Sequence, residues 1–212
     1  MRLYKDHVDL FLYVSTDEVY GETFITDNNL RKENDNLNPT TPYSATKLSA
    51  EHLCTSYYKS FKIPIIITRS NNVYGPKQYP EKIISRSICM LLQDKPMTIH
   101  GNGENYRSYI YISDVINAFD LIIHKGQINN IYNIGSNTIL TNNEIVRLIM
   151  KLLNIFDEKK YMKYIENRIY NDSGYLIDNT KLISLGWKSK INIYKGLNLT
   201  INWYKKNINH WN

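Results

Sequence analysis

Leu10 to Val14 is a continuous apolar run that stops abruptly at Ser15-Thr16-Asp17-Glu18. A strand apolar on both faces has no solvated side, so it belongs inside a parallel sheet with helices above and below. Thr41-Pro42 then reads as a helix start with Pro at the first helical position, and neither Gly nor Pro interrupts Tyr43 to Ser60. A second apolar run, Ile65 to Thr68, follows; Pro64 is tolerable at the first residue of a strand. Strand, helix and strand make a βαβ unit, and sheets built from such units carry their ligands at the C-terminal ends of the strands.

The rest of the chain continues the α/β pattern. Helices are expected around Glu81 to Gln93, from a Ser113 cap through about Lys125 with Val115, Phe119 and Ile122 inward, and over Asn142 to Leu153 with Ile145, Leu148, Ile149 and Leu152 inward. Ile131 to Gly135 reads as a third strand, Thr180 to Leu185 as a helix ended by Gly186, and Leu197 to Tyr204 as a last helix. The length, 212 residues, suits one domain or two small ones sharing a core. With 42% hydrophobic and 22% charged residues the composition is that of a globular chain.

Composition also removes several function classes. Cys54 and Cys89 lie far apart with no Cys-x-x-Cys and no paired His, so neither a disulfide framework nor a metal site is expected. No apolar run approaches a bilayer span, and the segment from Met1 to Glu18 has too short an apolar stretch and no small-residue cleavage site for a leader. The expectation is a cytoplasmic protein without a membrane partner. The net charge is +6, from 26 Lys and Arg against 20 Asp and Glu, which raises nucleic acid as a ligand. The basic residues are scattered, however, in short pairs such as Lys159-Lys160 and Lys205-Lys206, with no aromatic-interleaved stripe, so no nucleic-acid partner is expected.

Two short patterns could carry chemistry. Tyr43 and Lys47 are four apart and share a helix face. A phenol with a pKa of about 10 is a poor base at neutral pH; a neighbouring ammonium, or a cofactor's positive ring, lowers that value by favouring the phenolate. Among 18 tyrosines the same spacing also arises as an ordinary exposed pair. Thr16-Asp17-Glu18 ends the first strand, and two carboxylates beside a hydroxyl suit acid and base work if their surroundings separate their pKa values; alone they also read as a polar strand end. A glycine-rich dinucleotide turn is not found: Gly101-Asn102-Gly103 has Tyr106 where a third glycine would stand. The chain is therefore expected to start partway into its fold.

Taken together, Ser15-Thr16-Asp17-Glu18-Val19-Tyr20-Gly21, Pro42-Tyr43-Ser44-Ala45-Thr46-Lys47, Asn71-Asn72-Val73-Tyr74-Gly75-Pro76 and Pro80-Glu81-Lys82 resemble, in order and approximate spacing, the extended short-chain dehydrogenase/reductase superfamily and its nucleotide-sugar 4,6-dehydratases. Ile99-His100-Gly101, Tyr106-Arg107-Ser108-Tyr109, Tyr132-Asn133-Ile134-Gly135, Glu166-Asn167-Arg168, Asn171-Asp172 and Leu185-Gly186-Trp187 are similar to the UDP-glucose 4,6-dehydratase domain of plant-type rhamnose-synthesising enzymes. The resemblance runs from about Leu10 to the C-terminus.

It implies an α/β fold: the C-terminal part of a Rossmann-like parallel sheet with an interleaved smaller α/β substrate-binding region. Residues 1–75 would form the partial NAD-binding part and 76–212 the substrate region, with 113–140 returning to the first sheet. NAD is the implied cofactor, with Ser15, Tyr43, Lys47 and Val73 against it. By resemblance, Tyr43 takes the proton from the sugar O4, Lys47 holds the nicotinamide ribose, Thr16 binds O4, Glu18 removes the C5 proton and Asp17 protonates the departing C6 hydroxyl. Asn72, Glu81, Lys82, the strand Thr98-Ile99-His100, Arg107, Asn142 and Arg168 match positions that hold the nucleotide sugar. A homodimer through the helix carrying Tyr43 is implied as well. Two departures stand out: Ser173-Gly174 replace an arginine before Tyr175, and the resemblance implies an N-terminal half of the nucleotide-binding domain that is not expected within these 212 residues. The alternatives are a nucleotide-sugar epimerase or reductase, which has no need of an Asp17-Glu18 pair, and a non-catalytic remnant that binds nucleotide sugar or an intact homologue.

Overall fold

The computed structural model describes residues 7–27 and 30–211; Met1–Asp6, the beginning of the segment considered above as a leader, lie outside the described residues. In chain order the elements are β1 (Phe11–Thr16), α1 (Pro42–Phe61), β2 (Ile65–Ser70), β3 (Asn72–Tyr74), α2 (Ile83–Leu92), β4 (Met97–His100), β5 (Tyr106–Tyr111), α3 (Ile112–Lys125), β6 (Ile131–Ile134), β7 (Ile139–Thr141), α4 (Asn142–Leu152), α5 (Glu158–Tyr161), β8 (Met162–Ile165), α6 (Thr180–Ser184) and α7 (Ile193–Lys206). Short 3-10 turns at Asp17–Tyr20 and Ile25–Asp27 follow β1.

The βαβ unit closes as the apolar runs require. β1 lies parallel to β2 and β2 parallel to β6, with Thr16 opposite Ser70 and Ser70 opposite Ile134, so the three C-terminal ends are flush. Side chains of β2 alternate between two helix layers: Ile65 and Ile67 pack with Cys54 beneath α1, whereas Ile66 joins Val115 and Ile122 of α3 on the other face. Each such isoleucine contributes about 1.5–3 kcal/mol by leaving water. A buried ion pair fastens α1 to the sheet. Arg69 on β2 meets Glu51 on α1 in two parallel contacts of 2.6 and 3.1 Å, stacked against the Tyr20 ring.

A second lobe grows from the ends of these strands. β3 pairs parallel to β5, β5 antiparallel to β7, and β4 parallel to β8. Its core joins α2, α4 and α7 around Ile88, Ile145, Ile149, Leu197 and Tyr204. Helix boundaries follow local chemistry. Thr41 caps α1 and Thr141 caps α4, each in a reciprocal capping box. Ser113, expected as a cap, lies inside α3: β5 runs directly into Ile112, with Tyr111 at the cap position and no side-chain cap. The helix expected from Glu81 begins at Ile83, leaving Glu81 and Lys82 in the preceding turn, and the last helix starts at Ile193, where the Asn192 side chain accepts from the Lys195 amide. Among the described residues no helix is long and apolar enough to cross a membrane, and no group of three or more His, Cys, Asp or Glu could hold a metal ion.

Candidate active site

The flush ends of β1 and β2 open into a cavity of about 380 Å³ lined by Ser15, Thr16, Asp17, Glu18, Tyr43, Lys47, Asn72, Val73 and Lys82. Asn72, Lys82, Ile83 and Tyr109 also wall an adjoining cavity of about 420 Å³, which continues along Glu81, Thr98, Ile99, His100, Arg107, Asn142 and Arg168. The fold thus gathers the candidate catalytic, cofactor and substrate residues into two adjoining spaces.

In the first cavity the acid and base candidates are held rather than displayed. Asp17 is 3% exposed and accepts from Asn71 Nδ2 at 2.8 Å and from Thr16 Oγ1 at 3.3 Å. Burial pushes its carboxyl up to about 7; the adjacent Glu18 charge adds to this, while the Asn71 hydrogen bond, Arg107 and Thr16 oppose it. Glu18 is partly buried and also raised, first by desolvation, with the Arg107 and Lys82 cations pulling it back down. The two neighbouring carboxyls therefore differ in burial and in the cations they face. Thr16 Oγ1 accepts from the Glu18 amide, so one hydroxyl organises the turn bearing both.

Tyr43 and Lys47 present one face of α1 to the same cavity, as their spacing predicts. Lys47 Nζ donates to the Val14 carbonyl at 2.6 Å and lies 4.7 Å from the centre of the Tyr13 ring. The expected lowering of the Tyr43 pKa is not the net result: desolvation raises it, and Lys47 only opposes that rise. Ser15 Oγ, on the cavity wall, is buried without a hydrogen-bond partner among the described residues.

The second cavity is cationic. Lys82 and Arg86 are one turn apart at the start of α2, and Arg86 Nη2 donates to Thr98 Oγ1 at 3.0 Å. Arg107, on β5, gives Nη1 to the carbonyls of Tyr106, Asp172 and Ser173 at 2.7, 3.2 and 3.2 Å. The loop bearing Arg168 is anchored where the Gly101 amide donates to Ile165 at the end of β8; Gly101 has φ +61°, a conformation that favours glycine, and a Cβ there would press on the Asn167 side chain at 3.0 Å. Gly174, one of the two departures from the arginine pattern, lies so close to the Tyr106 ring that a Cβ would stand 1.9 Å from it. Tyr106 occupies the space a longer side chain at 174 would need.

Sequence reasoning missed several wall residues. Asn71 is the hydrogen-bond partner of Asp17, and Gln78, Arg86 and Tyr109 line the cavities. Asn71 sits beside Asn72 in a motif already singled out, and Arg86 is four residues beyond Lys82, so both carried a usable signal.

Residues 1–135 match the model of the NAD dependent epimerase/dehydratase family. The chain is 45% identical over 241 residues to the dTDP-D-glucose 4,6-dehydratase of Dictyostelium discoideum, covering 95% of this chain and 56% of that protein. It is 45% identical over 201 residues to an Arabidopsis thaliana trifunctional UDP-glucose 4,6-dehydratase/UDP-4-keto-6-deoxy-D-glucose 3,5-epimerase/UDP-4-keto-L-rhamnose-reductase, covering 95% of this chain and 30% of that one. The crystal structure of dTDP-glucose 4,6-dehydratase from Bacillus anthracis in complex with NAD superposes with a TM-score of 0.87 at 37% identity, over 94% of this chain and 62% of that one. The chain thus spans between about a third and two thirds of the length of these proteins.

Proposed function

Since the chain belongs to the NAD dependent epimerase/dehydratase family, we propose that it serves the 4,6-dehydration of a nucleoside diphosphate-glucose, UDP-glucose first, to the 4-keto-6-deoxy sugar, with NAD as cofactor. The observation that carries this reading is the pair of unlike carboxyls at one strand end, Asp17 buried with its pKa near 7 and Glu18 beside it under two cations, in the same cavity as Tyr43 and Lys47.

The cavity wall fits the nicotinamide end of that cofactor: Ser15 Oγ is a buried group in want of a partner among the described residues, and Lys47 Nζ, pinned at the β1 end, would hold the nicotinamide ribose. When bound, NAD supplies the two-electron acceptor for C4 and later the donor for C6. The Tyr43 hydroxyl, once deprotonated, takes the proton from the sugar O4, and Thr16 Oγ1, turning its hydroxyl hydrogen away from Asp17, donates to the oxygen as it becomes a carbonyl. The new carbonyl acidifies the C5 hydrogen. Glu18 removes that proton as the C5–H bond breaks, and Asp17, which retains a proton on a large share of molecules near neutral pH, delivers its own to the C6 oxygen as the C6–O bond breaks, releasing water; when C6 takes back hydride, Glu18 returns a solvent-exchanged proton to C5. The cationic second cavity suits the diphosphate, because guanidinium groups bind phosphate oxygens in pairs. A homodimer through α1 belongs to the same proposal; Leu53 on its outer face is 61% exposed.

The test is incubation with NAD and either UDP-glucose or dTDP-glucose in deuterated water, read by mass spectrometry and NMR. A product lighter by one water and carrying solvent deuterium at C5 is expected. A product of unchanged mass, inverted at C4, would point to epimerisation. Saturable nucleotide-sugar binding without any product favours a non-catalytic binder, and the absence of both binding and product overturns the reading.

A further inference from the structure

Asp172 is a buried carboxylate that the chemistry above does not use. It is 3% exposed and its side-chain partners are three hydroxyls from separate places: Thr40 Oγ1 donates to Oδ2 at 2.8 Å, the Tyr175 hydroxyl donates to the same oxygen, and the Tyr170 hydroxyl donates to Oδ1 at 2.9 Å. A carboxylate has about four lone-pair sites, so three hydroxyls can share it without competition. Burying a carboxyl this deeply is costly unless its oxygens are hydrogen-bonded, and the three hydroxyls show where those bonds lead. Thr40 immediately precedes Thr41, the cap of the helix that carries Tyr43 and Lys47. The carbonyls of Asp172 and Ser173 receive Arg107 Nη1, and the Tyr175 ring lies 5.0 Å from the Arg107 guanidinium carbon. One side chain therefore ties the start of α1 to the loop and ring that aim Arg107 into the second cavity.

We propose that Asp172 is a positioning residue for diphosphate binding: it acts through Arg107, holding the guanidinium where the substrate's phosphates lie and registering it against the Tyr43 helix. The proposal rests on the reading that the second cavity takes a nucleoside diphosphate. A purely structural role would loosen the loop and weaken every ligand alike. A positioning role weakens only the part of a ligand that Arg107 touches.

The experiment titrates the whole chain with UDP by calorimetry and with uridine, which lacks phosphates, by ligand-observed NMR. Asp172→Ala is expected to weaken UDP roughly tenfold, the scale of one well-placed charge-assisted contact, and to leave uridine unchanged. In an Arg107→Ala background the same substitution is expected to have no further effect on UDP. Should Asp172→Ala fail to fold, Tyr175→Phe keeps the ring under Arg107 and removes one hydroxyl; it is expected to weaken UDP roughly threefold, again with uridine unchanged. Equal weakening of UDP and uridine, unaltered UDP binding, or an additive loss with Arg107→Ala overturns the proposal. A wild-type chain that binds uridine but gains nothing from the phosphates instead removes the diphosphate reading on which it stands.

Discussion

The two cavities share walls but are built in opposite ways. In the first, the carboxyls and the amine are tethered, with Asp17 3% exposed and hydrogen-bonded on both oxygens and Lys47 pinned to a strand carbonyl, while Tyr43 lies 54% exposed on the cavity wall. In the second, the charges stand largely in water, with the Lys82 side chain 64% exposed and Arg168 on an exposed loop. The difference follows from the work each must do. A group that exchanges a proton needs a shifted pKa, and only burial and fixed neighbours provide one. A group that attracts a diphosphate needs charge within reach, and solvation costs it little. Arg107 and Arg86 depart from this in the second cavity, Arg107 held by three carbonyls and Arg86 by Thr98.

The sharpest way to break this contrast is Asp17→Asn, for which two opposite effects are expected. Product formation falls by about 10²–10⁴-fold, the usual worth of a positioned proton donor, while calorimetry shows UDP binding unchanged because the second cavity is intact. Stability at alkaline pH rises. Between its ordinary value of 3.8 and about 7 the folded state holds a proton on Asp17 that the unfolded chain has released, so wild-type stability declines as pH rises through that window. A carboxamide has no proton to lose, and denaturant titrations from pH 4 to 8 are expected to show the slope flattened in the variant.

Next in size is the ion pair beneath the first cavity. Arg69→Met leaves Glu51 buried and unpaired at a cost of about 3–5 kcal/mol. At about 2–4 °C per kcal/mol for a chain this long, thermal melts should show a drop on the order of 10 °C. Adding Glu51→Leu should recover much of it, since an apolar pair of similar volume needs no desolvation. Equal melts for the single and double variants would mean the pair fastens α1 by shape alone.

The same contrast explains what was legible in the sequence. The first cavity comes from contiguous or helix-spaced residues, Ser15-Thr16-Asp17-Glu18 and Tyr43 with Lys47, and local patterns place those side chains directly. The second is assembled from α2, β4, β5, α4 and the loop after β8, and its members meet only through pairings such as Met97 with Met162. β3, β7 and β8 are three or four residues long, too short for periodicity to reveal; their conformation comes from the partner strand. β5, Tyr106-Arg107-Ser108-Tyr109-Ile110-Tyr111, is buried at all positions but Arg107, so its pattern shows no alternation. Asn71 escaped notice for a related reason: its bond to Asp17 depends on the register that sets Thr16 opposite Ser70. The Tyr43 pKa was misjudged because spacing reveals the ammonium and not the desolvation that outweighs it.

Gly174→Ala tests whether the departure from an arginine is built into the packing. The added methyl meets the Tyr106 ring, which is 7% exposed and anchored by its hydroxyl to the Thr23 carbonyl, so it cannot swing aside freely. A loss of about 1–3 kcal/mol is expected from overpacking, measured by denaturant titration. Gly174→Ala with Tyr106→Val should lose less than the two single changes summed, because the ring that clashes is gone. Additive losses would mean the backbone, not the ring, demands glycine.

The smallest effect is expected at Arg168. Its loop is held by the Gly101–Ile165 and His100–Glu166 contacts rather than by its own side chain, so Arg168→Ala should leave the melting temperature unchanged. A solvent-exposed cation contributes about 0.2–1 kcal/mol to an ion contact, which corresponds to a loss of UDP affinity of up to about fivefold. Because screening shortens the reach of an exposed charge to about 3 Å at 1 M salt, that loss should vanish as salt is raised. The loss from Asp172→Ala, transmitted through a partly buried Arg107, should persist. A Arg168→Ala defect that survives high salt would place that guanidinium in a desolvated contact with the ligand, and the second cavity would then share the construction of the first.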